Sequence, residues 1–317
     1  MSLTDLVVHP EQPARLVTLD GMRVREDTLY SNHLGEEKKG IRKQAEKTLE
    51  KLREVLSRVL GPEEAVLYLA RCQAPVSTLE QSTLGWYIYY VTGTILVFTN
   101  RRLLHLDVKR SGDWKRTLRT VSWGDVEEAR VKGWLGPRLE LKYRSGKKEK
   151  YWNLQRADAK KIKVLLSAII SAGALETSPL QAMVSLCPSC LSMLTPGIYR
   201  CERCGVAFKD EKTMVRRSLL IPGGGYFYTG HWFLGLGDFL AEAYLLILLI
   251  VFLAAALAPT PASPGQESLT SREVWIAAGI IAAILPLEKW LTIHHCRRFI
   301  REFIPLGHGE PPQRLAA

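Results

Sequence analysis

No nucleotide-binding loop is present: the glycines of Pro222-Gly223-Gly224-Gly225 are not followed by Lys-Ser or Lys-Thr, and no strand pattern precedes them. No nucleophile–base constellation and no open metal site can be read either, so the chain is expected not to be an enzyme. The first residues, Met1–Leu16, lack the basic start, apolar core and small-residue cleavage site of a secretory leader. Acidic residues are outnumbered, 32 against 43 Lys and Arg, for a net charge of +11. That balance suits anionic partners, phospholipid headgroups or nucleic acid, and also a membrane protein with basic retained loops. Cysteine is sparse: there are six, four of them in two CxxC pairs, with Cys72 and Cys296 apart. Without a leader, such pairs point to a metal in a reducing compartment rather than to disulfides.

Most of the charge lies before Arg217, and the long apolar runs fill the last third. Residues 1–34 mix turn formers without a period and are expected to be a loose arm. Within 35–61, Glu36–Leu60 reads as a helix, with Ala45, Leu49, Leu52, Leu56 and Val59 on one stripe and Gly61-Pro62 as the stop. Fewer than three heptads favour packing on the next domain over a coiled-coil seam. Residues 62–172 hold seven runs rich in β-branched and aromatic residues: AVLYLA, LGWYIYYV, TILVFT, RLLHLDV, TLRTVSW, RLELKY and KEKYWNL. Thr92-Gly93, Ser111-Gly112 and Ser145-Gly146 separate several of them, so an antiparallel sheet bent into a sandwich or barrel is predicted. A helix from Arg156 to about Ala172 closes the domain, with Ile162, Leu165, Leu166, Ile169 and Ile170 on one face.

The stretch from Thr94 through Asn100-Arg101-Arg102-Leu103 to Leu106 resembles the apolar-strand, Thr-Asn-Arg-Arg-Leu signature of bacterial PH-like and GRAM-like domains. Val121-Ser-Trp-Gly-Asp-Val126 is similar to the element that follows it in those families. The resemblance covers about 110 residues and implies a PH-like barrel with a C-terminal helix, in which the Asn-Arg turn links two strands and Trp123 fills the barrel. From Arg101 to Lys150 there are 15 Lys/Arg against 7 Asp/Glu. Lys109, Arg110, Lys115 and Arg116 flank one hairpin, and Arg144, Lys147 and Lys148 another. Taken as adjacent, the two hairpins are candidates for anionic headgroups or a protein partner; the alternative is a solvated face.

A linker, 173–186, leads to the most specific motif. Within 187–208, Cys187-Pro-Ser-Cys190 and Cys201-Glu-Arg-Cys204-Gly205 are separated by ten residues. Two such knuckles place four thiolates around one tetrahedral ion, expected to be structural Zn²⁺, with iron as the alternative. The whole resembles a zinc ribbon, its spacer long enough for a small hairpin. Four thiolates close the shell, and the weakly basic surroundings (Arg200, Arg203, Lys209) make nucleic acid an unlikely partner.

The membrane region is placed at 218–303, with spans near 239–258 and 274–293, a kink expected at Pro286, and a tail at 304–317. Within 218–237, Pro222, Gly223, Gly225, Phe227, Tyr228, Gly230, Gly235 and Gly237 resemble the glycine-rich start of TM2-like membrane modules. That resemblance implies a re-entrant or interfacial turn before the first span. Lys209, Lys212, Arg216 and Arg217 precede the spans and Arg297, Arg298 and Arg301 follow them, so both termini are expected in the cytoplasm, at the inner membrane. Asp238 and Glu242 share a helix face near that boundary, at the depth of Glu288 and Lys289. A carboxylate–lysine pair between spans, a functional site and interface snorkelling all remain open for these four. His231, His294 and His295 read as scattered interface residues. The fold class expected is a multidomain α+β membrane protein. The function expected is a membrane-anchored adaptor or scaffold with a protein partner or a second copy of itself; a transporter or enzyme subunit is the alternative.

Overall fold

The computed structural model describes residues 14–171, 177, 181–257 and 271–306. Half of the linker 173–186, most of the Pro-rich loop after the first span, residues 1–13 of the expected arm and 307–317 of the tail lie outside them. The chain divides into two compact units, the first ending at Gly205 and the second beginning at Val206.

In the first unit, residues expected as a loose arm form β1 (Leu16–Leu19), β2 (Met22–Arg25) and a helical turn, α1 (Glu26–Leu29). Asp20-Gly21 joins the strands with positive φ at both residues, the two-residue turn that matches strand twist. The amphipathic helix α2 (Lys39–Val59) follows. Then come β3 (Ala65–Gln73), α3 (Thr78–Leu84), α4 (Ile88–Val91), β4 (Gly93–Thr99), β5 (Arg102–Val108) and β6 (Trp114–Ser122). The run LGWYIYYV, predicted as a strand, is helical instead. Ser77 and Glu80 form a reciprocal capping box at the start of α3, which commits the following turns to helix despite their aromatic content. The predicted strand set also lacked β7 (Val126–Lys132), which pairs with β8 (Arg138–Tyr143), itself paired with β9 (Lys148–Tyr151). Helix α5 (Arg156–Ser171) and β10 (Val184–Leu186) complete the unit.

The larger sheet runs β1-β2-β3-β4-β5-β6-β10, and β7-β8-β9 form the smaller one. Backbone bonds in both directions between Gln73 and Trp152 join β3 to the end of the smaller sheet. The core between the sheets contains Leu96, Phe98, Leu103, Trp123 and Leu141, closed by Ile162, Leu165, Leu166 and Ile169 of α5. The opposite face of the larger sheet buries Ile95, Val97, Leu104 and Leu106 against Leu49, Leu52, Val55 and Leu56 of α2. Helix α2 therefore packs on the domain that follows it.

The second unit contains α6 (Glu211–Leu220), α7 (Gly224–Thr229), α8 (Trp232–Leu257) and α9 (Ser271–Ile300). Helix α9 continues through Pro286, where the chain has no N–H to donate. The glycine-rich stretch is a tight α6–α7–α8 corner. Gly223 has φ +66°, and side chains at Gly223, Gly224 or Gly225 would collide with the Gly235 carbonyl, the Arg217 carbonyl or Ser218. At Gly237 there is open space. Gly225→Val is expected to destabilise the protein in detergent by about 2 kcal/mol, while Gly237→Val changes its thermal unfolding little. Equal effects of the two would contradict this packing.

Candidate functional site

The four cysteines of the two knuckles come together. Sulfur–sulfur distances are 3.5 Å for Cys187–Cys204 and for Cys190–Cys201, and all four sulfurs lie within 4.8 Å of one another. A tetrahedral ion bound at about 2.3 Å needs sulfurs roughly 3.8 Å apart, so the set fits one ion. The knuckles are built alike. Leu191 N–H donates to the Cys187 carbonyl and Gly205 N–H to the Cys201 carbonyl, both at 2.9 Å. The residue closing each turn has positive φ, +73° at Gly205 and +60° at Leu191, so the first knuckle places a branched side chain where the second has glycine. Burial pushes the Cys187 and Cys201 thiols up. At Cys201, Ser192 and the amides of Cys204 and Arg203 overcome it and bring the thiol down to about 6. Ser192, whose hydroxyl is 3.0 Å from Cys190 Sγ and 3.2 Å from Cys201 Sγ, was not singled out in the sequence.

The cluster is fixed to the sheet rather than hung on a linker. β10, just before Cys187, pairs with β6. Arg58 at the end of α2 donates to the carbonyls of Pro188 and Ser189, both at 2.7 Å.

The two basic hairpins are not adjacent. Arg144 lies beside the end of β6, donating to the carbonyls of Gly124 and Asp125, and Lys147 and Lys148 follow it. Lys109, Arg110, Lys115 and Arg116 lie where β6 begins. Seven residues of extended chain separate Lys115 from Ser122, roughly 23 Å. Hairpins β5–β6 and β8–β9 thus cap opposite ends of the barrel, because antiparallel connections alternate between ends.

The β5–β6 end carries more than charge. The α3–α4 segment lies there, with Trp86 71% exposed and Tyr89 and Tyr90 also outward. Arg110 sits over the Tyr90 ring and donates to its hydroxyl at 2.9 Å, and Lys115 donates to the Val91 carbonyl at 2.8 Å. Tyr89 meets Trp152 edge-on. The β7–β8 turn reaches the same end and exposes Trp134 and Leu135 at 79% and 77%. Exposed aromatic side chains in these loops were not read from the sequence; their position only becomes visible once the turns are assigned.

The Thr-Asn-Arg-Arg turn is structural. Asn100 accepts from the Ala65 amide and donates to the Glu63 carbonyl, while Arg102 forms a two-point pair with buried Glu64. Trp123 donates to the Thr99 carbonyl and stacks on Phe98.

In the second unit, Lys289 donates to both carboxylate oxygens of Glu242, at 2.7 and 2.6 Å, and to the Ser218 carbonyl at 2.6 Å. Thr292 bridges Glu288 at 2.9 Å and Asp238 at 3.2 Å. The four boundary charges therefore meet, with buried Glu242 neutralised by Lys289. Tyr226 and His295 form a further buried pair at 2.7 Å. The most apolar 18-residue stretches of α8 and α9 have mean hydropathies of 2.6 and 1.7, and both helices are long and apolar enough to cross a membrane.

Against known proteins, one stretch is recognisable. Residues 60–167 match the family described as Bacterial PH domain. The match spans about a third of the chain and covers the two sheets from β3 to β9 with most of α5, but neither the cysteine cluster nor the apolar helices. No curated protein matches. A solved structure described as the C-terminal domain of an unknown protein from Leishmania infantum is similar at 13% identity over 41% of this chain and 98% of that one. Its TM-score of 0.26 is too low to inform the fold.

Purified protein is expected to carry one tightly bound metal ion per chain by elemental analysis. Cys187→Ser should lose that ion and lower the melting temperature, and metal-free wild-type protein would contradict the site. For the helix pair, Lys289→Met should cost about 3 kcal/mol in detergent by stranding the Glu242 carboxylate. Adding Glu242→Gln should recover more than half of that loss, and a double variant no better than the single would contradict the pairing.

Proposed function

We propose that the protein is a membrane-tethered, non-catalytic adaptor whose PH-like domain docks on anionic lipid headgroups. The observation that carries this reading is the set of exposed side chains on the loops at the β5–β6 end of the barrel: Trp86, Tyr89 and Tyr90 with Arg110 and Lys115 against the same helical segment, Lys109 and Arg116 on the adjoining hairpin, and Trp134 and Leu135 on the β7–β8 turn. Amphipathic rings prefer the headgroup level of a bilayer, and each Lys or Arg near an anionic surface adds about 1 kcal/mol. Several large apolar side chains left exposed at one end of a domain mark a binding surface.

The tether is α8 with α9. Only 6% and 17% of the residues in their most apolar stretches are buried, whereas a core helix of a soluble protein would bury most of them. Leaving Phe233, Ile247 and Ile250 outward suits hydrocarbon. Basic residues on both flanks, Arg216 and Arg217 before and Arg297 and Arg298 after, support cytoplasmic termini at the inner membrane. The metal is zinc in this reading, held by a closed thiolate shell that braces β10 and α2. The boundary charges pair with one another, which favours a clamp between helices over a transport or catalytic site.

A fragment ending at Gly205 is expected to float with vesicles containing an anionic phospholipid, less so at high salt, and not with neutral ones. Lys109→Ala with Arg110→Ala should weaken binding about tenfold, and Trp86→Ala with Trp134→Ala should also weaken it. Substituting Arg144, Lys147 and Lys148 should matter little. Equal binding to neutral vesicles, or a larger effect at the β8–β9 hairpin, would remove the headgroup reading.

A further inference from the structure

Strand β3 is shared between the two sheets and leaves part of its outer edge without a backbone hydrogen-bond partner among the described residues. Its first residues, Ala65 and Val66, pair with β2, and its last, Gln73, exchanges backbone bonds with Trp152. Between them the pairing with β2 stops at Val66, where the register with β4 also shifts. Gln73 directs its N–H and C=O away from β4, whereas Ala74 donates to Thr92 on the β4 side. With a period of two, Leu69 and Arg71 also direct their backbone groups away from β4. Among the described residues, no backbone group pairs with them on that edge.

That edge opens into a cleft of about 700 Å³ lined by α2 and the segment before it, β3, the start of α5 and the β5–β6 turn at Ser111 and Gly112. The volume is in the range of ligand-binding clefts. Leu69, Ala70, Ile41 and Ala45 give it an apolar floor. Its charged lining is one-sided. His33, Lys38, Lys47, Lys51 and Arg71 face a single carboxylate, Asp158, which accepts from the Tyr68 hydroxyl at 2.8 Å. Lys38 and Lys51 also pair with Glu36 and Asp113, but Lys47 and His33 have no such partner among the described residues. Buried Lys161 donates to Ser31 Oγ at 2.7 Å and to the Asn32 carbonyl at 3.0 Å, holding one wall in place.

We infer that this cleft binds an extended, acidic segment of a partner protein, which adds a strand to β3 through the backbone of Leu69 and Arg71. An open strand edge is a template for pairing, and Leu69 is half-buried and Arg71 exposed, so an added strand can reach their backbone while its alternate side chains meet the basic walls. This goes beyond the lipid reading and does not depend on it, since the cleft lies along the strand and its test uses no lipid.

The test uses the full chain in detergent micelles and amide hydrogen exchange. Without peptide, Leu69 and Arg71 are expected to exchange far faster than Tyr68 and Ala70, which are bonded to β4. Twelve-residue peptides selected from a random displayed library should be enriched in Asp and Glu and should slow the Leu69 and Arg71 amides at least about tenfold. Arg71→Pro removes one outward N–H at an edge position that tolerates proline, and should weaken those peptides about tenfold. Lys47→Glu, on the α2 surface and outside the sheet, should weaken them as well and guards against a folding failure of the proline variant. Slow exchange at Leu69 and Arg71 in the peptide-free protein would show the edge already occupied and overturn the proposal. Selected peptides that leave those amides unprotected, or that bind Lys47→Glu as well as wild type, would overturn it too.

Discussion

Every residue of β4 is buried, and its alternate side chains enter two different cores. Leu96 and Phe98 face the interior between the sheets, while Ile95 and Val97 face α2. A sheet apolar on both faces must be covered on both, and this requirement organises the first unit. Helix α5 closes the inner face in the manner of a PH-like barrel, and α2 closes the outer one. Burying a side chain such as Leu52 or Leu56 stabilises by about 2 kcal/mol, so α2 is a second layer of the fold rather than an appendage.

That second layer has consequences for binding. Because α2 covers the outer face, the cysteine cluster can be braced from two sides, by Arg58 and by β10. Because β3 bends to serve both sheets, its middle is left along a cleft walled by α2 and α5. The barrel end bearing Trp86 and Trp134 is built from loops, touched by α2 through Lys51 at the β5–β6 turn and by α5 through Arg156 over the Trp134 ring. The cleft along β3 and the aromatic, basic barrel end meet at the β5–β6 turn, where Ser111 and Gly112 line the cleft and Arg71 donates to the Arg110 carbonyl.

Much of this was legible in the sequence. The stripe from Ala45 to Val59 pointed to α2 and its buried face, and the CxxC spacing pointed to the cluster that Cys187, Cys190, Cys201 and Cys204 form. Strands β4, β5, β6, β8 and β9 followed from their apolar and β-branched runs. Two misreadings have specific causes. The aromatic run at 84–91 looked like a strand because composition outweighed the Ser77-x-x-Glu80 capping box just before it. The arm hid strands of only four residues, although Asp20-Gly21 between Leu16–Leu19 and Met22–Arg25 is a hairpin signal. Strand β7, VEEARVK, carries too little apolar content to stand out, since its side chains are only partly buried. The separation of the two basic hairpins, the Ser192 contacts and the β3 cleft depend on which strand ends share a side of the barrel, and local pattern does not encode that.

The central claim is that the PH-like domain meets the bilayer by its aromatic, basic end. Spin labels placed singly at positions 86, 134 and 147 of the full chain in anionic vesicles test it most directly, through collision with oxygen dissolved in lipid and with a water-soluble relaxant. The account predicts lipid contact for the labels at 86 and 134 and an aqueous environment at 147. Aqueous labels at all three positions, or lipid contact at 147 alone, would contradict it.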